Sequence, residues 1–228
     1  MKNIYLIFIL FTLVTCSSQE EDIALNNAGQ IFGATKSKIQ FGSSYSTDKG
    51  SNKTITISFS NLKLVDESYS KKKITSTIAK NYIDNVKPDR YKGYDFLSVN
   101  IENVGEKYEQ TYKITDILET KESFKTLDNY FKVVKEKDFG EIKNYVDSYI
   151  VNEVPMFVDI YTLNDSIAKG VKDIVITGFK FDKIKETKEP VMVVWAELVY
   201  NIDNIILYHT FVMSPKTNKI LTIDAKSE

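Results

Sequence analysis

Val191-Met-Val-Val-Trp-Ala-Glu-Leu-Val-Tyr-Asn-Ile202, followed after Asp203-Asn204 by Ile205-Ile-Leu-Tyr-His-Thr-Phe-Val-Met-Ser214, is the stretch on which the fold depends. Both runs are rich in β-branched, aromatic and aliphatic residues, contain neither Gly nor Pro, and flank a dipeptide suited to a tight turn. They predict a long antiparallel hairpin. Side chains alternate along a strand, so Val193, Trp195, Glu197 and Val199 share one face of the first run, and Leu207, His209, Phe211 and Met213 one face of the second. A two-residue turn pairs Ile202 with Ile205 and Leu198 with His209, which puts Glu197 and His209 on opposite faces. An odd-length loop would bring them together.

Outward from the hairpin, Val171 to Phe181 and Lys219 to Ile223 add further strands, the latter after the turn signal Ser214-Pro215. Before them the period changes from two to between three and four. Phe124, Leu127, Phe131 and Val134 mark one helix. Asp138 and Glu141 have capping-box spacing for a second, with Ile142, Tyr145, Val146 and Tyr149 as its apolar face, and Thr162 and Asp165 offer the cap of a short third helix ending by Gly170. From Phe124 to Ile223 the order α, α, short β, α, then four strands resembles the nuclear-transport-factor-2-like (cystatin-like) α+β superfamily. The Lys137-Asp138-Phe139 turn is similar to the Gly-Asp-Phe-like turn often found there, with Lys in place of Gly. The resemblance implies a curved, cone-like sheet with helices on one face, whose pocket either takes a small molecule or is filled by side chains.

The first half reads α, β, β, α, β, β. Ile23 to Phe32 predicts a short helix, Ile39 to Tyr45 a strand, and the alternation of Thr54 to Phe59 after Gly50-Ser51-Asn52 a half-buried strand. Ile74, Ile78, Tyr82 and Val86 mark a helix that starts near Ser68 or Ser70 and stops before Pro88. Leu97, Val99 and Ile101, then Tyr108, Tyr112 and Ile114, predict two more strands joined near Val104-Gly105. The expected fold class is therefore α+β, two helix-on-antiparallel-sheet units, with domains at 23–118 and 119–228.

The first residues carry an address. Ile4 to Val14 is an apolar run after Lys2; its 11 residues cover only about 16 Å as a helix, against ~30 Å of bilayer core. That is a signal-peptide core, spanning 1–15 with its flanks, and not a membrane span. Leu13-Val14-Thr15-Cys16 resembles the lipobox of bacterial lipoproteins, with Thr where Gly, Ala or Ser is usual. The resemblance implies cleavage before Cys16, diacylglycerol on its thiol and acylation of the new amine; an ordinary secretory signal cut nearby is the alternative. Residues 16–22 then read as a polar tether without Asp after the cysteine, which resembles outer-membrane sorting. Glu20, Glu21 and Asp22 are similar to a Bacteroidota surface-export signal or are a solvated linker. Asp165-Ser166-Ile167 resembles a three-residue O-glycosylation motif of the same group.

Composition narrows the chemistry. With 43% hydrophobic residues, 12% aromatics, four Pro and nine Gly, the mature chain folds. Loss of Lys2 leaves 29 basic against 31 acidic residues, a net −2, which offers no electrostatic footprint for nucleic acid. With Cys16 lipidated, as the lipobox resemblance implies, no thiol is left for disulfides or catalysis and one His is too few for a zinc site; no phosphate loop, nucleophile elbow or calcium loop occurs, so no cofactor or metal is expected. His209 with Glu197 is the acid–base candidate; Trp195, Tyr208 and Phe211 are candidate ligand contacts. Burial of the ring with the hydroxyl at the edge equally explains Tyr130, Tyr145, Tyr149, Tyr161, Tyr200 and Tyr208, spread along helices and strands, without a ligand. The leading expectation is a non-catalytic binding module held to the outer membrane by lipid, facing the periplasm or the cell exterior, with an envelope or extracellular protein as partner. The alternatives are a small apolar-ligand binder using the C-terminal cone, and a lyase, isomerase or hydrolase using His209 with a carboxylate.

Overall fold

The computed structural model describes residues 18–46, 50–63, 70–103, 106–168, 170–185, 187–201 and 206–227. Cys16, the leader and the connections at Val104-Gly105 and Asp203-Asn204 lie outside the described residues. The first unit runs α1 (Gln19–Phe32), β1 (Lys36–Ser46), β2 (Gly50–Ser60), α2 (Lys71–Asn85), α3 (Pro88–Tyr91), β3 (Phe96–Asn103), β4 (Glu106–Lys113) and α4 (Ile114–Glu119). The second runs α5 (Lys121–Glu136), 3₁₀ turns at Phe139–Asn144 and Ser148–Glu153, α6 (Val154–Ala168), β5 (Val171–Lys183), β6 (Pro190–Tyr200), β7 (Ile206–Ser214) and β8 (Lys219–Ser227). The fold is α+β, with two four-stranded sheets in sequential strand order.

In the first sheet the alternation works as expected: Ile55, Ile57 and Phe59 of β2 and Leu97, Val99 and Ile101 of β3 face inward and are buried. Ile74, Ile78 and Tyr82 of α2 cover them. The helix ends because Lys87, which precedes Pro88, is extended at φ −61°, ψ 146°, and Val86 before it is extended too. One expectation is corrected. The sheet is not wholly antiparallel, since β2 and β3 pair parallel, Ile57 opposite Val99. A helix between two neighbouring strands returns the chain to the same end, and α2 is that crossover. Ile114, read as strand, opens α4.

The second sheet is antiparallel throughout and open, with β5 and β8 at its edges. Its inner face carries Phe179, Met192, Val194, Ala196, Leu198, Phe211, Met213 and Ile220, packed against Phe124, Leu127, Tyr130, Phe131 and Val134 of α5. Lys137 ends α5 in the left-handed conformation, φ 64°, with Asp138 N–H bonded to the Val133 carbonyl at 3.0 Å. This is the place where a Gly would meet no steric cost. The helix expected from Asp138 is a 3₁₀ turn without a side-chain cap, and Tyr149, expected on its apolar face, is 83% exposed. No strand follows it; Val146 forms an isolated bridge to Ile220. The third helix starts at Val154 rather than Thr162, its buried contacts being Phe157 and Tyr161, one helical turn apart. Asp165-Ser166-Ile167 falls in its last turns.

The two units touch through α2 and β5. Gly178 lies at a β-bulge, and a Cβ there would sit 2.5 Å from the Cα of Lys73, closer than any side-chain movement can relieve. Around that contact Phe179 N–H donates to Ser76 Oγ at 2.9 Å, and Thr77 Oγ1 donates to the Thr177 carbonyl at 3.2 Å.

Candidate functional site

The residues singled out on the hairpin separate onto two faces. Val199 pairs with Ile206, Glu197 with Tyr208, and Ala196 with His209, a register two residues from the one a Asp203-Asn204 turn would set. The shift is even, so the faces are as read: His209 and Phe211 point to the core, while Trp195, Glu197 and Tyr208 share the half-exposed outer face. Glu197 and Tyr208 are brought together as direct cross-strand neighbours; His209 and Glu197 are not.

His209 is 2% exposed and sits between aromatic rings, stacked with Tyr161 at 5.8 Å and with Phe211 at 5.8 Å. Among the described residues neither of its ring nitrogens has a hydrogen-bond partner. Burial pushes its pKa down to about 4, with the charge of Asp224 acting in the other direction, so the ring is neutral near pH 7. Beside it the hydroxyls of Tyr130 and Tyr161 lie 2.7 Å apart, and burial raises the pKa of both. Phe139 stacks on the other side of Tyr161, at 6.3 Å. The cluster is a dry aromatic stack with a neutral imidazole inside it, unsuited to holding a proton at neutral pH. Its signal in the sequence was only the period that placed Phe211 and His209 together; Tyr161 comes from a helix read with a different start.

An open cleft of about 500 Å³ lies where the units meet, within the usual size range of a ligand site. Phe181, Pro190, Val191 and Pro215 form its apolar part, and Asp116, Glu119 and Asp182 bring carboxylates to its rim together with Lys183. The Lys180 ammonium beside Asp182 holds that carboxyl below its usual range. None of these residues was singled out from the sequence, because the cleft is assembled from α4, the β5–β6 hairpin and the β7–β8 turn, which have no local pattern in common.

At the other end of the first unit, Gln19 to Asp22, expected in a tether, form the first turn of α1. Glu21 is 0% exposed. Its carboxylate accepts from Arg90 Nε at 2.9 Å and from an Arg90 terminal nitrogen at 2.8 Å, and its Oε2 accepts from Ser18 N–H at 2.7 Å. Ser18 Oγ accepts in return from Glu21 N–H at 3.3 Å, completing a capping box. Tyr82 donates its hydroxyl to Glu21 Oε1 at 3.4 Å, and Glu20 pairs with Lys87. The solvated-linker reading of the acidic triplet is thereby corrected for Glu21, which is buried, while Asp22 beside it is exposed.

Among the described residues no helix is long and apolar enough to cross a membrane, and no group of His, Cys, Asp and Glu is arranged to hold a metal ion. Comparison of the chain with known protein families, with curated proteins and with solved structures gives no match.

Proposed function

We propose that this protein is a lipid-anchored, non-catalytic binding module of the bacterial outer membrane, acylated on Cys16 and presenting the cleft between its two units to a ligand. One observation carries the anchor. The only cysteine closes a lipobox-like Leu13-Val14-Thr15-Cys16 at the end of the apolar run Ile4 to Val14, the order a lipoprotein leader has. Two or more acyl chains hold a protein stably where one does not. The binding role is supported by the cleft's size and mixed lining. The non-catalytic role is supported by the separation of His209 from Glu197 on opposite faces and by the neutral state burial imposes on that imidazole.

A second reading is a small, largely apolar ligand held inside the C-terminal unit, one polar group of which would meet the two ring nitrogens of His209 that have no partner among the described residues. The nuclear-transport-factor-2-like assignment belongs with it, supported by α5 and α6 covering one face of an open antiparallel sheet. Labelling cells with a palmitate analogue tests the anchor: label present in the native chain and lost in Cys16→Ala is expected, and unchanged label in the variant would overturn it. Native mass spectrometry of the soluble Cys16→Ala protein tests binding. Bound mass lost on Val191→Asp places the ligand in the cleft, and bound mass lost on His209→Phe instead favours the second reading.

A further inference from the structure

We infer that the corner of the first unit made by the start of α1, by α3 and by the loop into β3 lies directly on the lipid headgroups, because Ser17 alone separates Cys16 from the locked Ser18, a leash two residue steps long. The inference rests on acylation of Cys16. Two residues span at most about 7 Å even when fully extended. The headgroup layer on one side of a bilayer is itself roughly 5–7 Å thick. A cysteine whose thiol is joined to glycerol therefore cannot carry Ser18 far beyond the headgroups.

The leash would lengthen if α1 peeled away, and the contacts oppose that. Release of Ser18 breaks the reciprocal cap, and release of Glu21 strips a fully buried carboxylate from Arg90 and Tyr82. Further along, Ala24, Leu25, Ala28 and Phe32 are packed in the core of the first unit. Arg90 belongs to α3, and its guanidinium also lies over Phe41, 5.7 Å from the ring centroid, while Phe41 packs on Tyr94. The start of α1, α3 and residues 92–95 thus move as one piece. The exposed charges there are mixed, with Lys87 and Lys92 beside Glu20 and Asp89. Covalent geometry rather than attraction to anionic lipid sets the orientation, so salt should not disturb it.

The test uses the acylated full chain in phosphatidylcholine vesicles containing a headgroup-linked quencher. With Cys16 acylated, Lys92→Cys and Lys107→Cys each supply one thiol for a fluorophore. Lys107 pairs with Glu102 near the far end of β4, whereas Lys113 at the near end pairs with Phe96; the separation is about 20 Å at ~3.4 Å per residue. Several-fold stronger quenching at position 92 than at 107, unchanged by high salt, is expected. Inserting about ten Gly and Ser residues before Ser18, a coil of roughly 17 Å, should erase the difference. Equal quenching with the native leash, or a difference that survives the insertion, would overturn the inference while leaving the anchor intact. Failure of the native chain to float with vesicles, with no acyl mass on Cys16, would overturn the anchor itself.

Discussion

Glu21 in the first unit and His209 in the second are both buried, and the two are handled in opposite ways. Glu21 in the first unit is partnered: Arg90 meets its carboxylate through two hydrogen bonds, and Ser18 and Tyr82 add two more. His209 in the second has no hydrogen-bond partner among the described residues and gives up its charge, burial driving its pKa down to about 4. The difference follows from the neighbours. Arg90 reaches Glu21 from the surface, where its own side chain remains 36% exposed and needs little desolvation. His209 is stacked between the rings of Tyr161 and Phe211, and neutralisation avoids a buried charge there. A paired carboxylate makes a rigid lock; an unpartnered neutral imidazole makes a site that acid destabilises.

The comparison breaks most severely at Arg90. Arg90→Ala leaves the Glu21 carboxylate buried without its guanidinium, and a loss of about 3–5 kcal/mol in urea denaturation is expected. A loss below about 1 kcal/mol would show that the lock contributes nothing. Next comes the contact that joins the units. Gly178→Ala places a Cβ against the backbone of Lys73, and about 2–3 kcal/mol is expected, from overpacking. Adding Lys73→Ala should not rescue it, because the obstructing atom is the Lys73 Cα; rescue would locate the clash in the side chain instead.

The smallest effect appears only with pH. The folded pKa of His209 lies below its unfolded value of about 6.5, so the unfolded chain binds the proton first. Its contribution is fully present above pH ~6.5 and is lost as pH falls toward the folded value of about 4. Between pH 7.5 and 5 the loss is about 2 kcal/mol, and His209→Leu should remove that part of the slope in denaturation curves. Glu197→Gln, on the outer face, should leave the slope as it is; an equal effect of both variants would link the two residues after all.

How much of this was legible varied with the range of the interactions. The strands around Val191 to Ser214, the stripe Ile74, Ile78 and Tyr82, and the placement of Glu197 and His209 on opposite faces follow from side-chain period, which is local. The Asp138 cap was misread because Asp138 and Glu141 have the right spacing but the segment closes as a 3₁₀ turn, pinned by Asp147 N–H on the Ile220 carbonyl from β8. The parallel pairing of β2 with β3 was missed because alternation carries no direction. The acidic triplet was misread for a related reason: Arg90, which buries Glu21, lies 69 residues away.

By itself the sequence determined the strands, the main helices and the even register parity that keeps His209 from Glu197, all of which depend on residue type and short spacing. Only the tertiary structure decided that Glu21 is an interior lock rather than a tether, that Gly178 admits α2 onto β5, and that α4 and two hairpin ends enclose a cleft. Those depend on which distant surfaces meet, and the free energy of such contacts is set by burial and partner geometry that no local pattern encodes.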